Sequence, residues 1–220
     1  MLTSDWPSTA SKVVCDFMRA KHPQPRIAWI PSTTASGQEH FPAAKEKFAA
    51  NDFTRLEYFD IDEKLEVDQL ARLADYDIIY LTGGNPIEFR RRILMAGLPV
   101  WLQQCLTMGC RIVAASGGSM QLTKNISLFR LLSVPLEQVI AERSEYEGLE
   151  MVRYEILPHL NRFDASFLEL VRCYSERVRN EVLALADGAA LLQVEGGSYK
   201  CHGQVIRFRD GIITEIGKAA

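Results

Sequence analysis

Four short apolar runs punctuate the first half of the chain, and stretches with helical spacing lie between them. Arg26-Ile27-Ala28-Trp29-Ile30-Pro31, Arg55-Leu56-Glu57-Tyr58-Phe59, Asp77-Ile78-Ile79-Tyr80-Leu81 and Arg111-Ile112-Val113-Ala114 predict strands. Helices are predicted near 8–21, 39–51, 65–74 and 86–107. The last should break into two at Pro99, because proline inside a helix removes a hydrogen bond and clashes with the preceding turn. Strands alternating with helices imply parallel strands joined by crossovers. After residue 150 the pattern changes: Met151-Val152-Arg153-Tyr154-Glu155-Ile156 alternates, and a helix follows near 164–179. Short strands come next at 189–192, 198–201, 204–208 and 211–215, with His202-Gly203 and Asp210-Gly211 as tight-turn signals. No Pro/Gly/Ser-rich linker interrupts the chain. The expectation is one domain over 1–220, a three-layer α/β/α sandwich, mostly parallel, with antiparallel strands toward the C-terminus.

Composition narrows the function classes. The 220 residues are 47% hydrophobic and 24% charged, enough for an ordinary core without staples. A net charge of −3 argues against a nucleic-acid partner, which usually meets a basic domain. No run of 18 apolar residues is present, so no membrane partner is expected. The N-terminal Met1-Leu2-Thr3-Ser4-Asp5-Trp6 lacks the basic and apolar regions of a secretory signal. Cys15, Cys105, Cys110, Cys173 and Cys201 are odd in number and form no C-x-x-C pair, so reduced thiols and a cytoplasmic location are expected. The histidines are too scattered for a metal site, and neither a metal nor another cofactor is expected.

The chemistry begins at Ile112-Val113-Ala114-Ala115-Ser116-Gly117-Gly118-Ser119-Met120. An apolar run stops at a serine among small residues and a helix-like segment follows, the layout of a nucleophile elbow. The competing reading is an ordinary Gly-rich βα turn. Leu81-Thr82-Gly83-Gly84-Asn85-Pro86 is a second strand-to-helix turn, able to supply a glycine N–H to an oxyanion or to serve only as a turn. It lacks the spacing of either common nucleotide-binding glycine motif. His159 follows an apparent strand in Ile156-Leu157-Pro158-His159, and strand ends are where α/β sheets display reactive groups. Glu195 in Val194-Glu195-Gly196-Gly197 could orient an imidazole or be a solvated hairpin carboxylate. Ser119 is a rival nucleophile, but one turn into the helix it would point away from the strand ends.

These segments resemble the dipeptidase E and cyanophycinase group of serine peptidases, which share the fold of class I glutamine amidotransferases. The resemblance is carried by Gly83-Gly84-Asn85, Ser116-Gly117-Gly118, Pro158-His159 and Glu195-Gly196, in order along residues 26–200. It implies Ser116 as nucleophile, His159 as general base and acid, and Glu195 as the orienting carboxylate. It further implies an oxyanion hole from the N–H groups of Gly84 and Gly117; Asn85 is a candidate substrate contact, and an aspartyl side chain would call for a positive group, either Arg162 or the run Arg90-Arg91-Arg92. The partner would be a small peptide, with N-terminal Asp-X dipeptides as the best-known class; a homodimer is compatible with the chain. The chain departs from the family pattern at Gly117, where alanine is usual, at Ala114, where glycine is usual, and in its short first strand. A catalytically inactive relative that binds a small peptide or amino acid is the alternative.

Overall fold

The computed structural model describes residues 1–6, 11–194 and 197–218. Backbone packing groups the chain into two compact units, one of Met1 with Lys12–Gly118 and one of Leu2–Ser11 with Ser119–Ala220.

The first unit is built on four parallel strands, β2 (Ile27–Ile30), β3 (Leu56–Tyr58), β4 (Ile78–Leu81) and β5 (Arg111–Ala115), in the order β3-β2-β4-β5. Ile27, Ala28, Ile30, Ile79, Leu81 and Ala114 are buried on these strands, and burial along their whole length is why β2 and β4 are apolar throughout instead of alternating. Helices α1 (Ser11–Arg19), α2 (Thr34–Ala49), α3 (Val67–Ala71), α4 (Pro86–Met95) and α5 (Leu98–Thr107) connect or flank the strands. Helix α2 begins five residues before the periodicity suggested, because Thr33 caps it by accepting from the Ser36 N–H at 3.1 Å. The break between α4 and α5 is made by Gly97, at φ +74°, and Pro99 sits in the first turn of α5, where its missing N–H leaves no gap.

The second unit holds the antiparallel strands. The two-residue β1 (Leu2–Thr3) pairs with β8 (Ala190–Gln193), which pairs with β9 (Tyr199–His202). A second sheet runs in the order β11 (Ile212–Gly217), β10 (Val205–Arg209), β7 (Val182–Leu185), β6 (Glu155–Leu157). Asp210 and Gly211 both take positive φ, 49° and 76°, which suits the tight β10–β11 hairpin. Strand β6 is shorter than its alternating pattern suggested, and β7, parallel to it, was not anticipated. Helices α7 (Leu136–Ala141) and α8 (Ala165–Val178) belong to this unit, with Asp164 capping α8 at the Phe167 N–H, and the short α6 (Gly117–Gln121) begins in the first unit and ends in the second. Parallel strands flanked by helices, with antiparallel strands toward the C-terminal end, make a mixed, mostly parallel α/β fold.

A buried polar network anchors β6. Glu155 is fully buried and accepts from Arg143 Nη2 at 2.6 Å, the Tyr174 hydroxyl at 2.8 Å and Asn180 Nδ2 at 2.9 Å. Burial, and then the Glu155 carboxylate, push the Tyr174 phenol well above its ordinary pKa, so it stays a donor. Removing one member of such a set strands the others in a low-dielectric site. Glu155→Ala should therefore lower the unfolding free energy by about 3–5 kcal/mol, and Glu155→Gln by about 1–3 kcal/mol. Urea denaturation measures both, and an alanine variant as stable as the parent would show that the network contributes nothing.

Candidate active site

In the first unit, β4 and β5 are parallel neighbours with Leu81 opposite Ala114. That register sets Gly83 and Ser116, each two residues further on, at the same level. A Cβ added to Gly83 would lie 3.3 Å from the Ser116 Cβ, so the absence of a side chain there leaves room for the serine. Ser116 has φ +48°, a left-handed conformation that a non-glycine residue adopts at a cost of about 1–3 kcal/mol and that concentrates at functional turns. This is the strained strand-to-helix turn expected of a nucleophile elbow. The two following glycines are required by close approach. A Cβ on Gly118 would lie 2.6 Å from the Leu81 carbonyl oxygen. A Cβ on Gly117 would overlap the Gly84 carbonyl oxygen and lie 3.1 Å from its carbon. Gly84 itself, at φ +130°, has buried Ser32 where a side chain would go. The Gly84 and Gly117 backbones are thus in direct packing contact beside Ser116. Asn85 caps α4, its Oδ1 accepting from the N–H groups of Ile87 and Glu88 at 2.9 and 3.2 Å.

In the second unit, β6 and β7 run parallel with Leu157 opposite Ala184, and the chain beyond each strand end carries a polar side chain to a common point. His159, after β6, has φ +62°. Asp187, after β7, accepts at Oδ1 from His159 Nδ1 at 2.5 Å. The same oxygen accepts from the Ser4 hydroxyl at 3.0 Å. Oδ2 accepts from Arg162 Nε at 2.8 Å and Asn161 Nδ2 at 3.3 Å, and the Asp187 N–H donates to Asn161 Oδ1 at 2.7 Å. Burial raises the carboxyl pKa, but the bonds from His159, Arg162 and Ser4 outweigh it and hold Asp187 at about 2. An ionised carboxylate only accepts, so the hydrogen-bond network assigns the proton of the neutral imidazole to Nδ1 and makes Nε2 the ring's acceptor nitrogen.

Of the expected site residues, the structure therefore groups Gly84, Gly117 and Ser116 in one unit, and His159 with Arg162 in the other. Arg162 places its Nε on Asp187, and Asn85 uses its carbonyl oxygen as a helix cap. Glu195 lies outside the described residues. Ser119 is fully buried, donating to the Thr3 carbonyl at 2.8 Å and accepting from the Thr3 N–H at 3.1 Å, so its hydroxyl is committed to backbone. Asp187 and Ser4 were not singled out from the sequence, although Asp187-Gly188 directly after an apolar run was a readable signal. Among the described residues, no group of three or more His, Cys, Asp or Glu could hold a metal ion. No helix among them is long and apolar enough to cross a membrane.

Two solved structures share the fold. A candidate peptidase E protein from Listeria monocytogenes EGD-e is 17% identical, with 98% of this chain and 96% of that chain covered at a TM-score of 0.66. A peptidase from an acI-B1 Actinobacterium is 12% identical, with 100% and 93% covered at a TM-score of 0.70. No curated protein matches the chain. The fold is the class I glutamine amidotransferase-like one. Residues 3–201 match Peptidase family S51. With that match running through both the strained serine turn and the imidazole–carboxylate pair, the chain belongs to Peptidase family S51, whose members are serine peptidases.

Proposed function

We propose that the protein is a serine exopeptidase of the dipeptidase E type that hydrolyses short peptides, with Ser116 as nucleophile, His159 as base and Asp187 as the orienting carboxylate. The observation that carries this reading is the His159 Nδ1–Asp187 Oδ1 bond of 2.5 Å, which fixes the ring and sets its tautomer. The left-handed turn at Ser116 supports the nucleophile, and the packing of Gly117 on Gly84 supports a pair of backbone donors for the oxyanion. In the reaction, Nε2 removes the Ser116 hydroxyl proton as Oγ bonds to the scissile carbonyl carbon. The carbonyl oxygen takes up negative charge opposite the Gly84 and Gly117 N–H groups. As the tetrahedral intermediate collapses, the C–N bond breaks and Nε2–H protonates the leaving amine. Water, deprotonated by Nε2, then attacks the acyl-enzyme; as the C–Oγ bond breaks, Nε2–H returns the proton to Ser116 Oγ and the carboxylic acid product leaves. Asp187 takes the role that the resemblance gives to Glu195, because it is the described carboxylate on Nδ1.

The substrate class follows less directly. Arg162 spends Nε on Asp187, yet its side chain is 59% exposed, which leaves outer N–H groups for a substrate carboxylate. We propose N-terminal aspartyl dipeptides as the preferred class on that basis. The acidic stretch 142–150, which would disfavour acidic side chains if it lined the site, is partly neutralised internally, since Glu142 is paired with Arg130 and accepts from Gln138.

Ser116→Ala should lower kcat by on the order of 10⁴-fold or more without loss of fold, and a fluorophosphonate should label the parent stoichiometrically at Ser116. Hydrolysis of a dipeptide library at parental rates by the alanine variant would sink the assignment, and an unlabelled, inactive parent would favour a peptide-binding relative. Asp187→Asn should cost about 10⁴-fold in kcat by fixing the wrong tautomer. The folded carboxyl sits at about 2 against an ordinary 3.8, so Asp187 stabilises the fold above pH ~4 and loses that contribution as pH falls toward 2. Acid-titrated unfolding of Asp187→Asn should lack this segment of the curve. Arg162→Met should reduce the ratio of kcat/KM for Asp-X over Asn-X dipeptides about 10-fold or more; an unchanged ratio removes Arg162 from substrate recognition.

A further inference from the structure

Ser4 is fully buried and reaches both members of the imidazole–carboxylate pair. Its Oγ accepts from the His159 backbone N–H at 2.8 Å, donates to Asp187 Oδ1 at 3.0 Å and lies 3.3 Å from His159 Nδ1. We infer that Ser4 is a positioning residue of the proposed site, one hydroxyl holding the left-handed backbone of His159 and the carboxylate that sets its tautomer. The inference rests on the reading of His159 and Asp187 given above.

The donor and acceptor balance supports it. The Asp187 carboxylate cannot donate, so the hydroxyl proton goes to it, and the oxygen lone pair is then free for the His159 N–H. Both capacities of a buried hydroxyl are used, and neither bond is to a group that merely fills space. Without Ser4, the His159 N–H loses this acceptor, and Asp187 Oδ1 keeps only the imidazole.

Ser4 is itself held on both sides. Thr3 pairs with Ala190 in β1–β8, and its N–H and carbonyl are both bonded to the Ser119 hydroxyl. The Ser4 N–H donates to the Ala189 carbonyl at 3.3 Å, and Asp5 Oδ1 accepts from the Gly188 N–H at 2.8 Å. The segment from Leu2 to Asp5 is therefore stitched to the turn Gly188–Ala190 that follows Asp187. Ser119, its other attachment, lies three residues past Ser116 in the chain. A short first strand thus ends in a side chain aimed at the pair.

The test compares Ser4→Ala with the parent in four readouts: kcat and KM on the best dipeptide, the rate of fluorophosphonate labelling at Ser116, the His159 Nδ1–H proton resonance, and the unfolding midpoint. The expected result is a 10- to 100-fold loss, about that of one hydrogen bond to a charged group, in both kcat and labelling rate. KM stays within about 3-fold and the Nδ1–H resonance moves or broadens. In an Asp187→Asn background the same substitution should cost less than about 3-fold, because the hydroxyl acts through that pair. Ser4→Ala with kcat, labelling and resonance at parental values would overturn the inference while leaving Ser116 as nucleophile. A parent that is never labelled at Ser116 would overturn the underlying reading instead. If Ser4→Ala does not accumulate as folded protein, Ser4→Cys, close in volume and a weaker hydrogen bonder, is judged by the same thresholds.

Discussion

Asp187 accepts four hydrogen bonds, two on each oxygen, and the chemistry assigned to the second unit depends on that carboxylate staying ionised beneath an imidazole. Partial burial alone would favour the neutral acid, which could donate to Nδ1 and put the imidazole proton on the wrong nitrogen. The donors reverse this preference. They come from three places in the chain, Ser4, His159 and the Asn161–Arg162 pair, so the charge is fixed by tertiary structure and not by any local motif. Beneath it lies a second charged set, the Glu155 network, on the strand that leads to His159. Two parallel strands in register, one anchored by a buried ion pair, therefore deliver two turns to one point.

Two of the six described non-glycine residues with positive φ are the proposed nucleophile and base. Ser116 and His159 both occupy the left-handed region, and neither is a glycine. A serine or histidine there would relax to an extended or helical conformation if its surroundings allowed it. At Ser116 the surroundings are glycines whose missing side chains let two turns approach to contact distance. At His159 they are a proline before it and the Ser4 hydroxyl on its N–H. The strain is thus held differently in the two units, by close packing in one and by a hydrogen bond in the other.

These differences explain what the sequence revealed. The elbow was legible because its steric demands are local: a strand, a strained serine and consecutive glycines must be contiguous. His159 was legible as a histidine after an apparent strand. Asp187 was not, because Val182-Leu183-Ala184-Leu185 has residues that serve a helix as well as a strand, and no alternation marks it. With β7 unread, nothing placed Asp187 at a strand end. Ser4 was harder still, since a serine near an N-terminus acquires meaning only through partners 155 and 183 positions away. The division of 86–107 into two helices was legible, but the break belongs to Gly97, whose positive φ starts α5 and makes a first-turn proline harmless.

The departures from the family pattern gain a physical meaning from the same packing. Gly117 stands where the resembled family usually carries alanine, and here an alanine Cβ would overlap the Gly84 carbonyl oxygen. Gly84 cannot readily yield, because its own φ of +130° sets its α-carbon against buried Ser32. The three residues therefore form one steric unit: the path of the Gly84 loop requires glycine at 117, and glycine at 117 permits that path. Ala114, where the family usually has glycine, sits inside β5 with its N–H on the Met1 carbonyl and no exposed surface, so a methyl group is accommodated in the core. One substitution is thus absorbed by packing within the strand, and the other is coupled to the loop that carries the proposed second oxyanion donor.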